Sequence, residues 1–244
     1  MSLAYHGKNY VGWQIQPNGT SVQEVLQNAL STILRTTVEV TGAGRTDAGV
    51  HAAKMFAHFD LAEPILDRRE LVRRLNNFLP KDISIHEITP VKPDAHARFS
   101  AVSRTYGYYL TTEKDPFLHE IKCRVYFEPD IQKMNDLCHI LTEYSDFTSF
   151  SKLHTDVKTN ICRISEAYWM KSGNDYIFTI TADRFLRNMV RAIVGTLLEA
   201  GRGRLDEQEF RQIIEQHDRQ KAGDSAPGHG LFLKEVQYPD DIWL

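Results

Sequence analysis

Residues 37–59 read TVEVTGAGRTDAGVHAAKMFAHF, and the parsing of this stretch decides the fold. Thr37-Val-Glu-Val-Thr41 alternates and is rich in β-branched residues, the pattern of a half-buried strand. Met55-Phe-Ala-His-Phe59 reads as a second strand. Between them lies a loop in which three glycines surround Arg45 and Asp47. The stretch therefore predicts two strands joined by a glycine loop at the edge of a sheet.

That loop is not a dinucleotide cradle. The pattern G-x-G-x-x-G needs a third glycine where Asp47 stands, and a carboxylate there repels a pyrophosphate. No G-x-x-x-x-G-K-[ST] run occurs in the chain. Asp47, His51, His58 and Asp60 follow no standard metal-ligand spacing. Two readings remain. One is a tight turn with a surface aspartate. The other is a platform for a catalytic carboxylate. Arg45 lies two residues from Asp47, and the small residues Gly44, Thr46, Ala48 and Gly49 let a planar ligand approach the backbone. An exposed carboxylate in an uncrowded loop suits a nucleophile or a general base.

Working outward, Ser21-Val-Gln-Glu24 forms a capping box, and apolar residues from Val22 to Leu34 recur at helical spacing. Asp67 and Glu70 open a second helix carrying Leu71, Leu75 and Phe78, which Pro80 stops. Residues 83–88 predict a strand. Thr89-Pro-Val-Lys-Pro-Asp94 then breaks the pattern, which divides the chain into 1–97 and 98–244. The second part predicts strands at 103–112 and 123–127, a helix capped by Asp130, and a hairpin of 161–170 with 176–182. A helix over 185–200, another capped by Asp206 and a strand over 231–238 follow. There is no strict β-α-β alternation, so the class is α+β with mainly antiparallel strands.

With 42% hydrophobic and 25% charged residues the composition is that of a soluble globular protein. No apolar run approaches the roughly 20 residues of a membrane span, and no signal peptide is visible. Cys123, Cys138 and Cys162 are odd in number and widely spaced, which fits neither a zinc ribbon nor a disulfide framework but does fit a reducing cytoplasm. The net charge of −3 argues weakly against a polyanionic partner. The sum hides clustering, because Arg68, Arg69, Arg73 and Arg74 crowd one segment and Arg184, Arg187 and Arg191 another.

Those last three arginines, at spacings of three and four, predict one face of a helix. They read either as a solvated basic face or as phosphate contacts plus one inward arginine that pairs with a carboxylate. Arg191, beside the apolar Val190, Ile193, Val194 and Leu197, is the candidate for the inward position. On the strand from Ser103, alternation puts Arg104, Tyr106 and Tyr108 on one side, either as sheet packing or as a stacking platform for a base.

Gly44-Arg-Thr-Asp-Ala-Gly-Val-His-Ala52 resembles the signature loop of the tRNA pseudouridine synthase A family. Gly12-Trp-Gln14, Ser21-Val-Gln23, Arg104-Thr-Tyr106, Phe185-Leu-Arg-Asn-Met-Val-Arg191 and Gly230-Leu-Phe-Leu233 resemble its other blocks, in the same order. The family block Tyr-Asp-Gly stands here as Tyr5-His6-Gly7. The resemblance implies an α+β pseudouridine synthase fold of two subdomains, with mixed, mainly antiparallel sheets flanked by helices and an active-site cleft between them. It implies a cytoplasmic homodimer that isomerises uridine to pseudouridine at positions 38, 39 and 40 of the tRNA anticodon stem-loop, with no cofactor and no metal. By matching positions, Asp47 is the catalytic aspartate, and Arg191 is the basic residue that pairs with it. Tyr106 is the tyrosine that stacks on the target base, and Arg45 is the arginine linked to flipping the nucleotide. Arg187 and Arg104 are further substrate contacts on this reading. The rival expectations are an RNA-binding protein without catalysis, and the same chemistry on another RNA position.

Overall fold

The computed structural model describes residues 1–152 and 159–244. It divides into two compact units, Met1–Val102 with Leu233–Leu244, and Ser103–Phe232. The final residues therefore pack with the first unit.

In the first unit β1 (Ser2–Tyr5) lies between β4 (Ile83–Glu87) and β3 (His51–His58), antiparallel to both. β9 (Leu231–Gln237) flanks the other side of β3. β2 is only Thr41–Gly42 and pairs with the far end of β3, Thr41 opposite His58 and Gly42 opposite Ala57. Two expectations change here. β3 is an interior strand, so the glycine loop does not leave from a sheet edge. Residues 37–40 are extended but join no ladder. Their backbone is bonded instead by side chains of α1 (Val22–Leu34): Ser31 Oγ accepts the Val38 N–H, Gln27 Oε1 accepts the Val40 N–H, and Gln23 Nε2 donates to the Val40 carbonyl. The alternation of Val38 and Val40 reported burial correctly, at 2% and 1% exposure, but a helix supplies the hydrogen bonds that a strand was expected to supply.

α1 begins where the sequence places it. Ser21 Oγ accepts the Glu24 N–H, and Val22, Leu26, Ala29 and Leu30 form the buried face. α2 (Arg68–Phe78) is capped by Asp67 and buries Leu71 and Leu75. Phe78 is left exposed. Asn76 of α2 reaches the outer edge of β4, donating to the Ile85 carbonyl at 2.8 Å and accepting the Ile85 N–H at 2.7 Å. One amide side chain thus replaces a missing strand neighbour and blunts that edge.

The second unit repeats this device. β5 (Ser103–Thr111) pairs antiparallel with β8 (Asp175–Ala182), and β8 pairs antiparallel with β7 (Ile164–Ser172). β6 (Cys123–Arg124) is a short parallel addition to β5. α3 (Ile131–Leu141), capped by Asp130, packs on β7, and its Asn135 makes the same two bonds to the Trp169 backbone. α4 (Met189–Gly201) and α5 (Glu207–Glu215) complete the unit. α5 opens with a full capping box of Asp206 and Glu209. Among the described residues, mixed, mainly antiparallel strands with five α-helices give the α+β class that the pattern predicts. Among the described residues no helix is long and apolar enough to cross a membrane.

α4 starts later than the sequence predicts. Residue 183 is a bend, 184–186 are irregular and 187–188 a turn, and Asn188 at the N-cap holds a left-handed φ of 67° with no side-chain cap bond. Its Nδ2 donates to Ser225 Oγ instead. Residues 222–226 press so closely on α4 that a Cβ on Gly195 would sit 1.7 Å from the Asp224 carbonyl oxygen. In an unobstructed helix Gly→Ala stabilises by about 1 kcal/mol. Here Gly195→Ala is expected to destabilise by about 1–3 kcal/mol through overpacking. Urea unfolding measures the sign directly, and a raised midpoint would show that the 222–226 segment yields at no cost.

Candidate active site

The glycine loop is fixed by its backbone. Ala43 still belongs to the ladder, its N–H donating to the Phe56 carbonyl at 2.8 Å. From Gly44 the chain leaves β3. A Cβ on Gly44 would meet nothing within 4 Å, so this residue borders open space. Thr46 then turns inward, with its hydroxyl 2.9 Å from that of buried Tyr5 and its carbonyl accepting the Trp13 N–H at 3.2 Å. Asp47 forms an isolated antiparallel bridge with Gly12, and its carbonyl accepts the Val50 N–H. Arg45 and Ala48 face solvent on either side, and Asp47 is half-buried.

The bridge requires Gly12. Its φ is 113°, and a Cβ there would lie 2.2 Å from the Thr46 carbonyl oxygen. Residues 12–13 are in turn held by α1. The first amides of a helix have no partner inside it. Here the Val22 N–H bonds the Gly12 carbonyl at 3.2 Å and the Gln23 N–H bonds the Trp13 carbonyl at 3.0 Å. Gln23 also accepts the Ile15 N–H through Oε1. Upstream, the Tyr10 hydroxyl donates to Asp82 at 2.6 Å, and burial followed by this bond pushes the Tyr10 pKa up. Asp82 also takes the amide of Asn9, and its carbonyl takes the His6 N–H. Buried His51 accepts the Gly7 N–H at Nδ1, with the His6 ring edge-on at 4.3 Å. His51 and His58, which accepts the Ala97 N–H, are thus both engaged by backbone amides.

In the second unit Tyr106 is half-buried on β5, its ring edge-on to Phe185 at 5.1 Å. Arg104 Nη1 donates to the Asp183 carbonyl at 2.8 Å. Tyr108 does not share that surface. It is fully buried, its hydroxyl donates to the Pro227 carbonyl, and burial first and Cys123 second push its pKa far up, so it remains a neutral donor. The late start of α4 also dissolves the expected arginine face. Arg184 and Arg187 lie before the helix, Arg187 exposed with its carbonyl accepting the Lys152 N–H, and only Arg191 is helical. Arg191 is half-buried. Its Nε donates to the Ala226 carbonyl at 2.7 Å, while the Ala226 N–H returns a bond to the Arg191 carbonyl at 2.9 Å. Ser225 Oγ is held by both Asn188 and Arg219. Residues 225–227 thus anchor Arg191 and Tyr108 together. In the sequence Ser225-Ala-Pro227 carries no chemistry that marks it as support.

Comparison with known proteins decides the family. A family profile described as tRNA pseudouridine synthase matches residues 1–100 and 144–239. The chain belongs to the tRNA pseudouridine synthase family. A protein named tRNA pseudouridine synthase A from Parabacteroides distasonis is 59% identical over 241 residues, covering 99% of this chain and 96% of its own length. One of the same name from Bacteroides thetaiotaomicron is 63% identical over 244 residues, covering 99% and 90%. A more distant one, from Exiguobacterium sibiricum, is 36% identical over 240 residues, covering 98% and 96%. The profile includes every residue of the anchored loop, its supports at 5–13 and 21–23, and the segment from Arg187 to Pro227.

The anchoring of the loop can be tested directly. Gly12→Ala is expected to cost about 1–3 kcal/mol through strain and close contact. It should also remove hydrogen-exchange protection at the Trp13 amide, which bonds Thr46. Unchanged protection there would mean that Gly12 does not hold the loop.

Proposed function

We propose that this protein isomerises uridine to pseudouridine at positions 38, 39 and 40 of the tRNA anticodon stem-loop, with Asp47 as its catalytic carboxylate. Family membership supports the reaction. The observation that carries the assignment to Asp47 is the way its backbone is held at Gly12 and Thr46 while the neighbouring Gly44 borders open space. Such a loop presents a carboxylate to a planar base without itself having to move.

The target base must leave the stem before it can rearrange. We assign Arg45, exposed beside Asp47, to occupy the place the nucleotide leaves. Tyr106, braced by Phe185, stacks on the extruded uracil. The N1–C1′ bond breaks, the ring turns, and C5 bonds to C1′. The C5 proton goes to solvent and N1 gains a proton, so the product is an isomer and no electrons are exchanged. Asp47 adds to C6, attacks C1′ or removes the 2′ proton, and each route needs the carboxylate ionised. We assign Arg191 as its charge partner. Its Nε is committed to Ala226, which orients the planar fork whose remaining nitrogens suit a carboxylate. Arg104 and Arg187 are assigned to the RNA backbone.

The reaction as written needs no cofactor and no metal. The buried free cysteines accord with a reducing cytoplasm. The working unit is a homodimer, so sedimentation should show twice the 28.0 kDa of one chain, and a single 28.0 kDa species would remove this part of the reading.

Tritium release from tRNA labelled at C5 of uridine tests the chemistry. The wild-type protein releases tritium. Asp47→Asn is expected to lose about 100- to 10,000-fold in rate or more, the usual weight of a general base, while still binding tRNA. Substantial release by Asp47→Asn would overturn the role of Asp47. No release by wild type, with tRNA still bound, would favour a non-catalytic RNA-binding protein or another target position.

A further inference from the structure

Phe99 is 75% exposed, yet it is held by more structure than an exposed ring requires. Its ring lies 4.3 Å from that of His96, tilted by 36°, and the His96 ring lies 4.7 Å from that of His58. His58 belongs to β3 and pairs with Thr41 of β2, the short strand that leads into the glycine loop. Three rings therefore run from the ladder beneath the loop out to solvent.

The turn that carries Phe99 is tied down by several hydrogen bonds. His96 Nδ1 accepts the Arg98 N–H at 3.1 Å and the Phe99 N–H at 3.3 Å. His58 Nδ1 accepts the Ala97 N–H, and the Tyr238 hydroxyl donates to the Ala97 carbonyl at 2.6 Å. His96 and Ser100 exchange two bonds, Ser100 N–H to the His96 carbonyl and His96 N–H to Ser100 Oγ. Burial first, and the neighbouring His96 second, push the His58 pKa down, so its ring stays neutral and keeps accepting at Nδ1. The Arg98 guanidinium lies 5.6 Å from the centroid of the Phe99 ring.

Burial does not explain this construction, because the Phe99 ring adds little to the core. A rigid ring with one face in water and a guanidinium beside it matches the chemistry of an unpaired nucleobase and its phosphate. Phe117 and Tyr126 are more exposed, at 90% and 84%, but neither belongs to such a ladder of rings among the described residues. We propose that Phe99, backed by His96 and His58 and flanked by Arg98, is a stacking site for an unpaired base of the tRNA. This rests on the function proposed above and adds a contact outside the group of residues assigned to the reaction.

The test compares wild type with Phe99→Ala, Phe99→Trp and Arg98→Ala, using an unmodified tRNA transcript over a range of salt concentrations. Phe99→Ala is expected to weaken binding about tenfold, as loss of one stacked base does, with the salt slope unchanged because no charge is removed. Phe99→Trp should bind like wild type, and its added indole emission should be quenched at saturating tRNA. Arg98→Ala should lower the salt slope by about one. Thermal melting checks that the exposed substitutions leave the fold intact. The stacking site is overturned if Phe99→Ala binds within twofold of wild type, or if the Phe99→Trp emission is unmoved at saturation. A wild-type protein that releases tritium and binds tRNA while Phe99→Ala binds equally well would overturn this site alone. A wild type that binds no tRNA would overturn the function, and the site with it.

Discussion

One close approach governs the glycine loop: the Gly12 backbone lies against the Thr46 carbonyl, where any Cβ would intrude. That contact lets the chain bridge Gly12 to Asp47 and lets the Trp13 amide reach Thr46. Neither would suffice if residues 12–13 were themselves loose. They are held because the first amides of α1, which every helix must satisfy somewhere, are satisfied by the carbonyls of Gly12 and Trp13. The requirement at the helix terminus and the requirement at the glycine loop are thus met by the same two peptide groups. The separation of Gly12-Trp-Gln14 and Ser21-Val-Gln23 in the sequence conceals that they are one support.

The helices were legible where side chains cap them. α1, α2, α3 and α5 begin at Ser21, Asp67, Asp130 and Asp206, each accepting a backbone amide as its sequence predicts. α4 begins at Asn188 with no cap bond and a left-handed backbone, so apolar periodicity alone set its expected start and set it too early. The extended residues 37–40 show a different limit. Alternation reports which side chains are buried, and Val38 and Val40 are. It does not report who bonds the backbone, and here Gln23, Gln27 and Ser31 do. Nor does it distinguish an interior strand from an edge, which is why β3 was misplaced. The packing of residues 233–244 with the first unit is a choice of partner across more than a hundred residues, and local pattern carries no information about it.

At the site, residue chemistry left two readings of Asp47, a surface aspartate on a tight turn and a presented carboxylate, and the structure adds how the loop's backbone is held. Residue chemistry was less informative for aromatics. Tyr106 and Tyr108 share a strand face, but one remains half-exposed while the other is sealed in the core and bonded to Pro227. Alternation assigns faces, and depth along a face depends on what covers it. The arginines show the same limit, since Arg184 and Arg187 share a face with Arg191 only if the helix exists at their positions.

A loop with three glycines would ordinarily be costly to immobilise, because glycine loses more backbone freedom than any other residue. Here peptide groups and the inward Thr46 hydroxyl supply the holding bonds. The consequence is a division of labour along the chain. Thr46 faces the interior and is bonded to Tyr5, whereas Arg45 and Ala48 on either side face solvent. The backbone of Asp47 is fixed by its bridge to Gly12 and by the bond its carbonyl accepts from the Val50 amide. The Thr46 hydroxyl and the peptide groups of Gly12, Thr46 and Asp47 carry these bonds, so a substitution at position 47 that keeps the backbone course keeps them.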